Sequence, residues 1–249
     1  MKPNNLIYLL GFFIVLSACN EQTVRKQGYE VHGIDVSHYQ KEINWEKVAS
    51  QDIHFAFIKA TEGETYKDTF FCENWTGMKA ANIKRGAYHF FRPTLSAELQ
   101  AANFIETAEL GHGDFVPVLD IEVTDGVSKR ELLEKIDTWL TLVESHFKVK
   151  PIIYTYQKFF NKHLAGHYSD YPIWIARYSS WRSPNLSSDQ EWQFWQYGNK
   201  GKLRGINGPV DFNIFKGTKN ELEKFCLIRP APMFDPPPAP ASELVATNP

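Results

Sequence analysis

The sequence predicts an α/β fold of parallel strands, and three observations carry that expectation. From Val31 to Ala176, short apolar and β-branched runs alternate with stretches of helical periodicity. Several of those runs close on a polar residue: Asp35, Lys59, Asp120 with Glu122, Tyr154, and later Gln196. After Ala176 the helical spacing fades, and two further strand-like runs are joined by a Gly-rich connection. Strand–helix repeats give right-handed crossovers in either an open doubly wound sheet or a closed barrel. No Gly-rich phosphate loop follows the first strand, so the nucleotide-binding form of the open sheet is unsupported. Polar strand ends gathered at one mouth are what a (β/α) barrel builds.

Taken in order, Val31–Val36 is a strand carrying Asp35, and Asn44–Ser50 a short helix. His54–Ala60 is a second strand with Lys59 near its end, followed by a helix over Phe70–Asn82. Gly86–Phe91 is a third, stopped by Arg92-Pro93. Ser96 is placed to cap a helix running to Leu110, with an apolar spacing at Leu99, Ala102, Ile105 and Ala108. The fourth strand is Phe115–Val123, and the longest helix Ser128–His146 follows it. That helix opens on a Ser128–Glu131 capping box and carries a stripe of Leu132, Ile136, Trp139 and Val143. Pro151–Thr155 is a strand, Gln157–Leu164 a short helix and Pro172–Ala176 a strand. Trp192–Tyr197 and Val210–Phe215 then read as strands with little helix between them. Five strands carry helices; the last three do not.

The fourth strand organises the rest. It reads F-V-P-V-L-D-I-E-V, and side chains alternate faces along a strand, so Asp120 and Glu122 share a side with Val118. Two carboxylates on one side of an apolar strand are costly unless paired or used. With Asp35 and Asp211 they complete a set of four. Such a set suits a divalent cation, glycoside hydrolysis by one protonated and one ionised carboxyl, or glycan binding without catalysis. Aromatic residues make up 14% of the 249-residue chain, which favours stacking on sugars over a metal. A formal net charge of -2 offers no basic stripe for nucleic acid.

The ends carry separate signals. Residues 1–18 read as an export signal, with an apolar run Leu6–Leu16 too short to span a bilayer. Leu16-Ser17-Ala18-Cys19 resembles a bacterial lipobox, which implies lipid on Cys19 and a membrane-anchored lipoprotein in the cell envelope. Residues 19–30 then read as a tether, residues 31–229 as the barrel, and the Pro-rich stretch 230–249 as a disordered tail. Cys72 lies in an apolar helical stretch that suits a buried thiol. Its pairing with Cys226 is left open by a spacing that says nothing of distance. Neither has a nearby His at ligand spacing, so no structural metal is expected.

Eight blocks, in order, resemble the lysozymes of glycoside hydrolase family 25. They are Gly33–Ser37 (G-I-D-V-S), Phe55–Gly63 (F-A-F-I-K-A-T-E-G), Gly86–Phe91 (G-A-Y-H-F-F), D-I-E, P-I-I-Y-T, Trp174–Tyr178 (W-I-A-R-Y), W-Q-Y and V-D-F-N. The likeness covers roughly Gly33 to Gly217. It implies a modified TIM-like (β/α) barrel, five βα units and then about three strands with little helix, in agreement with the helix-poor end. It implies cleavage of the β-1,4 bond between N-acetylmuramic acid and N-acetylglucosamine in peptidoglycan, without a cofactor and by a monomer. Carried over by position, Glu122 resembles the general acid and Asp120 the second catalytic carboxylate, assisting the substrate's N-acetyl group or acting directly at the anomeric carbon. An acid role for Glu122 requires its pKa to be raised by burial and by Asp120, with Asp120 left ionised. Asp35 and Asp211 resemble flanking carboxylates, while Lys59, Tyr88, Tyr154, Trp174, Arg177 and Gln196 fall in blocks that border the groove. His38, Tyr39 and Gln40 depart from the commoner turn after the first strand and alter one rim. His89, on the opposite face of its strand from Tyr88, reads as structural. The same barrel serving as a silent glycan-binding lipoprotein, or hydrolysing another N-acetylated glycan, is the competing expectation.

Overall fold

Strand closure, rather than an open edge, is how this chain hides its sheet. The computed structural model describes residues 25–179 and 181–228. Cys19, the expected export signal 1–18 and the expected tail 230–249 lie outside them. The strands are β1 (Val31–Val36), β2 (Phe55–Glu62), a two-residue β3 (Tyr66–Lys67), β4 (Lys84–Phe90), β5 (Val118–Asp120), β6 (Ile152–Tyr156), β7 (Ile173–Ala176), β8 (Phe194–Gly201) and β9 (Val210–Phe215). They hydrogen-bond in the order β1-β9-β8-β7-β6-β5-β4-β2, with β3 beside β2, and a β1–β2 pairing closes the barrel. The helices are α1 (Trp45–Ala49), α2 (Phe71–Ala80), α3 (Ala97–Thr107), α4 (Lys129–Phe147), α5 (Gln157–Phe159, widening into a π-turn over Phe160–Leu164) and α6 (Lys219–Leu222).

The barrel is not wholly parallel: β9 runs antiparallel to both β1 and β8. No helix separates β8 from β9, and a chain that turns straight back can pair only antiparallel. That reversal carries Asp211 up to the end of the barrel where β1 delivers Asp35, and the two are register partners.

Inside, Phe55, Phe57, Phe115 and Phe194 form an aromatic plug with ring centroids 5.1–5.8 Å apart. Gly33 and Gly86 make room for it. A Cβ at either would lie 2.4 or 2.5 Å from the rings of Phe55 or Phe57. Outside, the α4 stripe of Leu132, Ile136, Trp139 and Val143 is buried as expected, with Trp139 against Phe104 of α3. His89 is structural: it bonds Thr61 at 2.7 Å and Gln100 at 3.1 Å and stacks on Trp139. Burial lowers its pKa to about 4.

Several expectations need correcting. In α3, Leu99 is 54% exposed and Ala102 also faces solvent, while Gln100 and Asn103 are buried. Gln100 brackets His89 and the Arg92 backbone, and Asn103 donates to the carbonyls of Gly63 and Tyr66. Polar residues with distant partners have thus taken the inner face. Cys72 is exposed and Cys226 buried, both as free thiols. Ser128 accepts from the Glu131 N–H at 3.2 Å, but the Glu131 side chain pairs with Lys135, so the capping box is half formed. Residues 25–30, expected within a tether, lie on the barrel instead. Lys26 Nζ sits 4.1 Å from the Trp195 ring, Arg25 5.0 Å from Phe212, and Tyr29 packs edge-on to Trp195. These residues cover outer faces of β8 and β9, where no helix lies. Among the described residues, no helix is long and apolar enough to cross a membrane.

Candidate active site

The polar strand ends meet at one mouth, as the alternation requires. Asp35 of β1, Asp120 at the end of β5, Glu122 just beyond it and Asp211 of β9 gather there, as their mutual electrostatic influence records. They fall into two pairs.

The first pair, Asp35 and Asp211, is held in a frame of amides. Gln196 Nε2 donates to Asp35 Oδ2 at 2.9 Å and to Asp211 Oδ2 at 3.3 Å, and Asn213 Nδ2 donates to Asp35 Oδ2 at 2.6 Å. The amides cannot turn around. Gln196 Oε1 accepts from the Tyr154 hydroxyl at 2.8 Å and the Tyr178 hydroxyl at 3.1 Å, and Asn213 Oδ1 accepts from Trp174 Nε1 at 2.8 Å. A donor-only indole and two phenols therefore aim both amide nitrogens at the carboxylates. Burial raises both pKa values, Asp35's charge raises that of Asp211 further, and Asp211 gives Asp35 a hydrogen bond. The pair holds a proton between its two members.

The second pair, Asp120 and Glu122, has no such frame. Asp120 is buried, and its Oδ1 has no hydrogen-bond partner. Burial, then the Glu122 charge, pushes Asp120 well above the ordinary aspartate range. Glu122 is raised by burial and by Asp35, and is held back by a hydrogen bond from Asp120 and by the Lys59 ammonium. Both carboxyls are thus pushed toward the protonated form, and for Asp120, expected to stay ionised, burial is the first cause. Asp120 is the more deeply buried and stands beside Glu122's charge, while Glu122 reaches solvent.

Glu122 opens into a pocket of about 570 Å³ walled by Tyr154, Tyr156, Gln157, Arg177 and Tyr178. Arg177 is braced by Gln157 at 3.1 Å and the Ser183 carbonyl at 3.0 Å. Lys59 is buried with its ammonium on Glu62. A bulge between Lys59 and Thr61 shifts the alternation of β2, which lets residues three apart meet on the inner face while Thr61 turns outward to His89. Tyr88 is half-buried, its ring edge-on to Trp174. Trp174, expected at the groove, is 2% exposed and packs on Phe57 and Tyr154, so it orients Asn213 from within the core. Asn213 and Tyr178 were not singled out from the sequence. Asn213 was findable, since it follows Asp211 by two on a strand and must share its face. Among the described residues no cluster of three or more His, Cys, Asp or Glu is arranged to hold a metal ion.

Known proteins are similar to this chain over most of its length. The model of glycosyl hydrolases family 25 matches residues 34–206. Lysozyme M1 of Streptomyces globisporus is 35% identical over 209 residues, covering 77% of this chain and 70% of that protein. YegX of Escherichia coli K12, an uncharacterized protein, is 44% identical over 202 residues, covering 79% and 74%. A family 25 glycosyl hydrolase structure from Bacillus anthracis matches with a TM-score of 0.76 at 32% identity, covering 83% of this chain and 98% of that one. A bacterial lysozyme structure from Streptomyces coelicolor matches with the same score at 34% identity, covering 80% and 98%. A closed barrel with four carboxyls at its mouth, matched along most of its length, places this chain in glycosyl hydrolase family 25, as a glycoside hydrolase.

Proposed function

We propose that the protein hydrolyses peptidoglycan at the β-1,4 bond between N-acetylmuramic acid and N-acetylglucosamine. The observation that carries this reading is the unframed Asp120–Glu122 pair, both members raised by burial, which opens through Glu122 into an aromatic-walled pocket. As the glycosidic C–O bond breaks, Glu122 passes a proton to the leaving oxygen and draws on the hydrogen bond from Asp120. Asp120 is left ionised, beside the positive charge that develops on the sugar. A water oxygen then forms the new bond at the anomeric carbon, and that water's proton returns to the carboxyl pair. Lys59 favours the ionised form of both. The framed pair keeps its own proton and lends a fixed negative field. Incubating the purified protein with peptidoglycan and identifying the new reducing ends tests the reading. New muramic acid ends are expected. Binding without new ends would assign the barrel to glycan capture, and cleavage only of a non-muramyl N-acetylated polymer would move the substrate elsewhere.

The lipobox supports a second proposal, that the enzyme works from a membrane through lipid on Cys19. Cys19→Ser should then release the protein or stall its processing. A Ser variant that stays membrane-bound and is processed normally would remove that proposal.

A further inference from the structure

Residues 25–30 precede the first barrel strand, and the family model begins only at residue 34. They nevertheless reach the wall of the Glu122 pocket. Strand alternation turns Gln196 of β8 into the barrel and its neighbour Trp195 outward. Gly28 turns the upstream segment in the left-handed region, at φ +85°. Lys26 and Tyr29, on either side of that turn, meet the same indole: Lys26 Nζ lies 4.1 Å from the Trp195 ring, and the Tyr29 ring stands edge-on at 6.3 Å.

Trp195 is tied to the chain leaving β7. Its Nε1 donates to the Arg177 carbonyl at 2.8 Å, and the Arg177 N–H donates to the Gln196 carbonyl at 3.0 Å. Lys26 Nζ, from its place over the indole, donates to the Ser179 carbonyl at 3.0 Å. Between those two held carbonyls stands Tyr178. Its hydroxyl donates to Gln196 Oε1 at 3.1 Å, and its side chain lines the Glu122 pocket. Tyr178 is 56% exposed, so packing alone does little to fix it. Its place is set by the backbone on either side, by Trp195 before it and Lys26 after it. Ser179 also accepts the Arg182 N–H on its Oγ at 3.1 Å, and the Ser183 carbonyl braces Arg177, a second residue of the same wall.

We propose that Lys26 is a positioning residue of the active site: it clamps the carbonyl after Tyr178, and so holds that side chain at the pocket and its hydroxyl on Gln196. The two contacts of the ammonium make different demands. The indole face accepts any cation or apolar stem, whereas the carbonyl needs a donor. Lys26→Met therefore keeps the stem on Trp195 and loses the clamp, while Lys26→Arg keeps a donor and a charge over the ring.

Two measurements on the full chain test the proposal. The first is hydrogen exchange at the Arg177 and Arg182 amides, both bonded within this loop. Lys26→Met should speed it by about 3- to 10-fold, the size of one hydrogen bond, with the barrel strands unchanged. Lys26→Arg should not. The second is steady-state hydrolysis of wall polymer, which rests on the peptidoglycan reading above. Lys26→Met should raise KM by a similar factor and hold kcat within about twofold, because Tyr154 still locks Gln196. In a Tyr178→Ala chain, which loses a half-exposed side chain and should fold, Lys26→Met should raise KM no further. A KM loss that persists undiminished without Tyr178 would overturn the proposal, and so would unchanged exchange or an Arg variant as impaired as Met. Exchange needs no substrate, so failure of the clamp is distinguishable from failure of the peptidoglycan reading.

Discussion

Two pairs of acids share one mouth, and they differ in what surrounds them. Asp35 and Asp211 face amide nitrogens that are themselves locked from behind by Tyr154, Tyr178 and Trp174. Asp120 and Glu122 face each other, with one buried oxygen left unpartnered and one carboxyl open to a pocket. A buried polar atom without a partner is costly, and a well-made core avoids it. The framed pair is thus built to stay as it is. The unframed pair keeps an open side toward the pocket, and the proposed mechanism places the reaction there and the fixed field on the framed pair.

The sharpest way to break this comparison is to silence one member of the open pair. Glu122→Gln keeps the size of the side chain but cannot give a proton. It is expected to lower kcat/KM on wall polymer by about 10²- to 10⁴-fold. On an activated aryl glycoside, whose leaving group needs little protonation, much more of the rate should survive. Asp120→Asn should lose rate on both substrates, because charge must be stabilised whichever group leaves. The roles are reversed if Asp120→Asn is the variant that the activated leaving group rescues.

How far this was legible in the sequence follows from the same contrast. The open pair could be read, since D-I-E ends an apolar strand and alternation alone puts both acids on one side. The frame could be read only in part. Asp211 and Asn213 are two apart on β9, but nothing local says that Trp174 lies below the groove and turns its indole toward Asn213. An inward strand residue is core or ligand according to its height in the barrel, which register sets and sequence spacing does not. The helix-poor end was legible as a loss of 3.6-residue periodicity, yet the reversal of β9 was not, because alternation reads the same in either direction. In α3, periodicity pointed to the wrong face, since Gln100 and Asn103 answer to partners on β4 and on the turn after β2.

A smaller effect is expected from loosening the frame. In Asp35→Asn, one oxygen can still take both amides, of Gln196 and Asn213, which meet at Asp35 Oδ2. An NH2 replaces the other oxygen, however, and cannot accept the hydrogen bond from Asp211. The amides cannot turn their own oxygens inward without leaving the Tyr154, Tyr178 and Trp174 donors unmatched. Glu122 also loses the Asp35 charge that helps hold its proton. The variant should lose up to about 10²-fold in kcat/KM, as misplaced reacting groups do. The alkaline limb of its pH–rate profile should also move to lower pH. A rate loss with the profile unmoved would leave Asp35 a purely packing role.

The smallest effect is on stability, and its sign separates the pairs. Asp120's folded pKa lies well above its unfolded value because burial disfavours the charge. Between the two values the folded state binds more protons than the unfolded one, so wild-type stability falls as pH rises through that window. Asn at 120 has no proton to lose and can still donate to Glu122. Asp120→Asn should therefore melt higher than wild type near neutral pH, by about 2–4 °C for each ~1 kcal/mol relieved. The gap should close as pH falls toward the ordinary aspartate range. Asp35 also sits above its ordinary value through burial, but its carboxylate accepts from Asp211 as well as from the two amides, and Asn with one oxygen cannot accept from all three. Asp35→Asn should melt lower than wild type at neutral pH, since it strands a buried donor. Thermal unfolding of the three proteins from mildly acidic to neutral pH reads both signs. Equal shifts in the same direction would mean that the two pairs are not differently built.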